Sequence, residues 1–207
     1  MPSSAAARWP AIPVAGWQDT RDTFQLYTQV IGKVRLANEP RSNHWWNTPL
    51  YLTARGLTTS LMPHPSGTEL QIDLDLVDHR LDVTTTVGGG ASLDLVPRSV
   101  ADFYAEVMGL LDGLGVPTPI WTMPVEIPGA IPFPDDRVHA SYDADAVHRF
   151  WLALVQMERV LKEFRTRSWG RPARSISSGV RSTWRTPASP VAPRRRTPAA
   201  RRTAGPT

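Results

Sequence analysis

Large apolar side chains and acidic groups run through this chain as far as Arg167 and then almost cease, and that break limits what can fold. From Ser168 to Thr207 there are nine arginines, six prolines and no Lys, Asp or Glu. The large apolar side chains there are Trp169, Ile176, Val180, Trp184 and Val191. Ordering a backbone costs about 1–2 kcal/mol per residue, and so little apolar area does not offset it. Residues 168–207 are therefore expected to form a disordered tail, 1–8 a flexible N-terminus and 9–167 a single folded domain. The same break makes the net charge of +4 misleading: up to Arg167, 14 basic groups face 19 acidic ones, a net of −5. No specific nucleic-acid partner is expected of an acidic body, although the tail arginines would hold phosphates without sequence preference.

The absence of cysteine rules out a disulfide framework and a thiolate metal site. No apolar run approaches the roughly 18–20 residues that span a bilayer, so no membrane partner is expected. The Ala-rich start lacks the apolar stretch of a secretory signal, and a soluble, cytoplasmic protein follows as the expectation.

Phe24, Tyr27, Ile31 and Val34 recur at three- and four-residue steps, which predicts an amphipathic helix over 17–36, with Asp19 and Asp22 where the helix dipole favours acids. From Asn43 to Val96 the period drops to two, most plainly where Leu70, Ile72, Leu74 and Leu76 alternate with Gln71, Asp73 and Asp75. Neighbouring strands are expected at Leu50–Ala54, Leu57–Met62, Arg80–Val87 and Ser92–Val96, joined at Arg55-Gly56, Asp78-His79 and Gly88-Gly89-Gly90. Ser99 is placed to cap a second helix carrying Val100, Phe103, Val107 and Leu111 and stopped by Gly115 and Pro117. The proline-rich stretch 117–134 reads as an extended connection with one edge strand. Asp143 then caps a third helix bearing Val147, Trp151, Leu154, Met157, Leu161 and Phe164. The predicted fold class is α+β: an antiparallel β-meander with about three amphipathic helices packed on it.

Several longer phrases point to a family. They are TQVIGKVRLA (28–37), NHWW (43–46), TARGLTT (53–59), IDLDLVDHRL (72–81), PRSVADFY (97–104), PVEIPGAIPF (124–133), HASYD (139–143) and HRFW (148–151). Through them the chain resembles, from about Trp9 to Arg167, a bacterial family known as domain of unknown function 5996. The resemblance implies no activity, cofactor or site, because none is attached to the family. Beyond Arg167 family members continue in a form similar to FVGKASPVHFFWGSFDL, whereas this chain reads SWGRPARSISSGVRSTW. The two strings are related by the genetic code: with one T restored before Ser168, a permitted coding of Ser168 to Trp184 spells the family phrase. Residues 168–207 are accordingly read as out-of-frame translation, and the resemblance implies strands whose loss leaves an uncovered sheet edge or apolar patch.

Asp73 and Asp75 share one face of a strand roughly 6.5–7 Å apart. That spacing suits paired acid–base work, but the polar face of a half-buried sheet has the same pattern and is the expected reading. Asp75, Asp78 and His79 bring carboxylates and an imidazole to one turn, without a metal-ligand signature; no metal or cofactor is assigned. Asn43, His44, Trp45 and Trp46 combine flat apolar surface with a few oriented polar groups, the composition of a ligand pocket and equally of a hydrogen-bonded aromatic core. His139, Ser141, Tyr142 and Asp143 resemble pieces of a hydrolase site, but Asp143 is better used as a cap. The residues chosen for ligand binding are His44, Trp45, Asp75 and His79. The function expected is small-molecule binding or hydrolysis there, with a non-catalytic interaction domain as the alternative.

Overall fold

The computed structural model describes residues 9–167. The flexible N-terminus expected over 1–8 and the disordered, out-of-frame tail expected over 168–207 lie outside the described residues. The first helix, α1, spans Gln18–Asn38 and buries Phe24, Leu26, Tyr27, Val30, Ile31 and Val34. Its apolar stripe is the one predicted, extended by two residues at the C-terminus, where Asn38 donates its side-chain amide back to the Val34 carbonyl at 3.0 Å.

Six strands follow: β1 (Tyr51–Leu52), β2 (Gly56–Thr58), β3 (Met62–Pro63), β4 (Glu69–Asp75), β5 (Arg80–Thr85) and β6 (Gly90–Asp94). All pairings are antiparallel, in the order β1-β2-β4-β5-β6 with β3 also against β4. The alternation in β4 decides the faces: Leu70, Ile72 and Leu74 are buried against the helices, in register with Thr85, Val83 and Leu81 of β5. The opposite face carries Thr58, Gln71, Asp73, Asp82 and Ser92, half-buried or exposed. The strand expected over Leu57–Met62 is broken in two. Thr59 causes the break, because its hydroxyl accepts the Ile72 N–H at 2.9 Å in place of a backbone carbonyl, and Ser60 then takes a left-handed φ of 59°.

The second helix, α2, spans Val100–Gly113, and Ser99 accepts the Asp102 N–H as its cap. The third, α3, spans Ala144–Arg167, with Asp143 accepting the Ala146 N–H at 3.0 Å. The helices pack on the apolar face of the sheet, with the rings of Tyr27 and Phe103 stacked 3.9 Å apart between α1 and α2. Each fully buried side chain of this size stabilises the fold by about 1.5–3 kcal/mol. No described helix is long and apolar enough to cross a membrane. Met157, Val160, Leu161 and Phe164 of α3 are exposed, as are Leu61, Val77, Val87 and Val96 at the turns and ends of the sheet.

Residues 117–132 contain no strand, contrary to the edge strand expected there. Side chains of α1 take the backbone groups that a strand partner would need. Gln29 donates to the Val125 carbonyl and accepts the Val125 N–H, and Lys33 donates to the carbonyls of Trp121 and Met123 at 2.9 and 2.5 Å. The Lys33 ammonium also lies 4.3 Å from the Trp121 ring centre. Burial lowers its pKa to about 8. The unfolded chain, with an ordinary lysine, keeps that proton to higher pH, so stability rises through the interval above pH 8 until the unfolded lysine also loses its proton. Urea unfolding midpoints measured from pH 8 to about 10 are expected to climb in the native chain relative to Lys33→Met. Parallel curves would contradict this.

Candidate functional site

Two of the four residues chosen from the sequence meet at the turn after β4. Asp75 is nearly buried; Arg55 donates to its carboxylate at 2.5 Å, and the N–H groups of Val77 and Asp78 donate to the other oxygen at 2.9 Å. Burial pushes its pKa up, but the Arg55 hydrogen bond and the two backbone donors outweigh that and hold it below the ordinary carboxylate value. This set of contacts closes the turn and pairs a charge, which is structural work. His79 sits in the same turn at a left-handed φ of 52°, with Nδ1 2.9 Å from the Tyr142 hydroxyl. Its pKa is lowered, first by burial and then by the nearby His148.

His44 and Trp45 are placed on a separate 3-10 turn, Asn43–Trp45, each with φ of 57°. Both are exposed; the Arg41 guanidinium lies 5.0 Å from the Trp45 ring centre, and His44 faces Trp46 at 6.5 Å. Among the described residues no hydrogen bond joins this pair to Asp75 or His79. Asp73, on the outer face, accepts the Gln71 amide at 2.8 Å and lies opposite Asp82. No group of three or more His, Asp or Glu that could hold a metal ion occurs among the described residues.

The HASYD phrase contains more geometry than its composition suggested. His139 Nδ1 is 2.7 Å from the carboxylate of Asp136, which is buried to 1% exposure and also accepts the N–H groups of Val138 and His139. The carbonyls of His139 and Asp136 in turn accept the N–H groups of Val100 and Ala101, capping α2 from outside. A carboxylate fixing one imidazole nitrogen is the orienting half of a catalytic triad. Here its evident work is to lock the loop onto α2. Ser141 does not complete a triad through that histidine: its Oγ is 2.9 Å from the Thr20 hydroxyl.

That contact borders a cleft which sequence reasoning missed. It holds about 310 Å³ and is lined by residues 15–20, Ser141 and Asp143, where the starts of α1 and α3 meet. The Thr20 hydroxyl also accepts the Asp143 N–H at 3.0 Å, and Thr23 accepts the Ser141 N–H at 3.2 Å. Trp17 forms one side, its ring 5.2 Å from Phe150. The wall holds two carboxylates, Asp19 and Asp143, with Gln18, two hydroxyls and no cationic side chain.

No curated protein and no solved structure matches the chain. The phrases quoted above fall on the elements that build these sites: TARGLTT on the β1–β2 turn and β2, IDLDLVDHRL on β4 and its turn, HASYD on the α2 clasp and cleft, HRFW on α3. The match extends past them and past Arg167, to Trp184, and over residues 9–184 it shows that this chain belongs to the Family of unknown function (DUF5996).

Proposed function

We propose that the protein binds a small polar molecule in the cleft between the starts of α1 and α3. One observation carries the reading: polar groups 121 positions apart in the chain, Thr20 and Ser141, are hydrogen-bonded at the edge of a half-open cleft of about 310 Å³. That volume lies at the small end of the roughly 300–1,000 Å³ usual for ligand sites. With two carboxylates, an amide and hydroxyls in the wall, the matching ligand is rich in hydrogen-bond donors, such as a polyol, a small sugar or an amine. Trp17 supplies a flat apolar surface beside them. Binding is favoured over hydrolysis because the Ser141 hydroxyl is paired with the Thr20 hydroxyl rather than with an imidazole or a carboxylate that could act as its base.

The test is a thermal-shift and native mass spectrometry screen of the full chain against polyols, monosaccharides and small amines. A ligand at 100 times its Kd stabilises by about 2.7 kcal/mol, which raises the Tm by several degrees. Asp19 is exposed and contributes no core contact, so Asp19→Ala is expected to keep the fold and lose the shift. A full panel without shift or mass adduct, or a shift unchanged in Asp19→Ala, would overturn the reading.

A further inference from the structure

We propose that the contact between the turn after β4 and the start of α3 is a pH-sensitive latch, closed by neutral His79 and released when that ring takes up a proton. Two histidines stand on this seam. His79 Nδ1 is 2.9 Å from the hydroxyl of Tyr142, and His148 Nδ1 is 2.8 Å from the Leu76 carbonyl. The first ties the stretch before α3 to the turn and the second ties α3 itself to it.

Tyr142 makes the latch depend on protonation. Its side chain is packed against Phe24 and is 7% exposed, and among the described residues its hydroxyl bonds to His79. A buried hydroxyl needs an acceptor for its proton, and neutral His79 supplies one at Nδ1 when its own proton is on Nε2. Doubly protonated, His79 has two donors and no acceptor. The hydroxyl proton is then stranded, and a cation has been placed in a half-buried seam beside His148. The other charged groups around the ring work partly against this: Asp145 of α3 and Asp75 and Asp78 of the turn favour the cation. Arg55 and Arg80 engage Asp75 and Asp78, which weakens that attraction. His79 also sits at a left-handed φ of 52° without being glycine.

Burial and His148 together keep the His79 pKa below the ordinary imidazole value. The folded chain therefore binds this proton less readily than the unfolded one. The contribution of the latch is complete above the ordinary imidazole value and is lost as pH falls from there through the lower folded value.

Hydrogen exchange of the full chain, corrected for intrinsic rates, tests this over residues 139–156 at pH 7.5 and 5.5. Protection is expected to fall at the lower pH by up to about tenfold, the ceiling for one imidazole whose unfolded value of about 6.5 lies one unit above the lower pH. His79→Asn, whose side chain tolerates the left-handed backbone, is expected to flatten the dependence. If that variant does not fold, Tyr142→Phe removes the hydroxyl that needs an acceptor and should shrink the fall. Equal protection of the native chain at both pH values overturns the proposal. So does a fall that persists undiminished in whichever variant folds.

Discussion

Gly56→Ala is expected to abolish cooperative folding, or to leave a chain destabilised by more than about 3 kcal/mol. Gly56 opens β2 opposite Asp75, and a methyl group built on it would stand 1.9 Å from the Leu74 carbonyl oxygen and 3.0 Å from the Leu74 carbonyl carbon and the Leu76 nitrogen. These are backbone atoms of the central strand, which cannot swing aside as a side chain would. The β2–β4 ladder has to part, which forfeits hydrogen bonds of about 1 kcal/mol each and lifts Leu57 from its place against Leu74 in the core. Against a total stability of about 5–15 kcal/mol the loss is large. Gly109→Ala makes the contrast, because the added methyl there meets nothing within 4 Å in the interior of α2. It is expected to stabilise by about 0.5–1 kcal/mol. Urea midpoints of the two variants against the native chain decide the matter, and a Gly56→Ala midpoint near native would show that the strands separate at little cost.

What could be read from the sequence was what short-range chemistry determines. Leu70, Ile72 and Leu74 alternate with polar neighbours, so β4 and its buried face followed from period alone. Ser99 and Asp143 cap helices through groups three residues away, within the same local pattern. The break at Thr59 was hidden because a hydroxyl can stand in for a carbonyl only once β4 lies beside it. The proline-rich stretch 117–134 read correctly as an extended connection but also looked as if it held an edge strand, because the side chains that claim its backbone, Gln29 and Lys33, belong to a helix about ninety positions earlier. The candidate sites divide in the same way. Asp75 and His79 were visible as neighbours in one turn, but the hydroxyl that His79 bonds belongs to Tyr142, 63 positions on. The cleft needs Thr20 beside Ser141, a contact that no periodicity announces. The HASYD phrase stood out for its family resemblance, its likeness to pieces of a hydrolase site and its Asp143 cap, while the residues chosen for ligand binding lay elsewhere; in the fold its serine bonds Thr20 and its tyrosine bonds His79.

Asp136 offers the second large effect. Asp136→Ala is expected to destabilise the fold by about 3 kcal/mol, because a fully buried carboxylate accepting three hydrogen bonds is removed and its donors are left without partners. The damage should be directional. The loop it locks supplies the carbonyls that accept the N–H groups of Val100 and Ala101, so the first turn of α2 loses its outside cap while Ser99 still holds the Asp102 N–H. Hydrogen exchange at 100–101 should therefore rise more than at 102–110. Asp136→Asn separates the contributions, since its carbonyl oxygen can still accept the two backbone donors while its amide meets His139 only through an imidazole nitrogen lacking a proton. A loss nearer 1 kcal/mol is expected for that variant. Similar, small losses for Ala and Asn would mean that the loop is held on α2 by the packing of Phe133 and its neighbours rather than by the buried carboxylate.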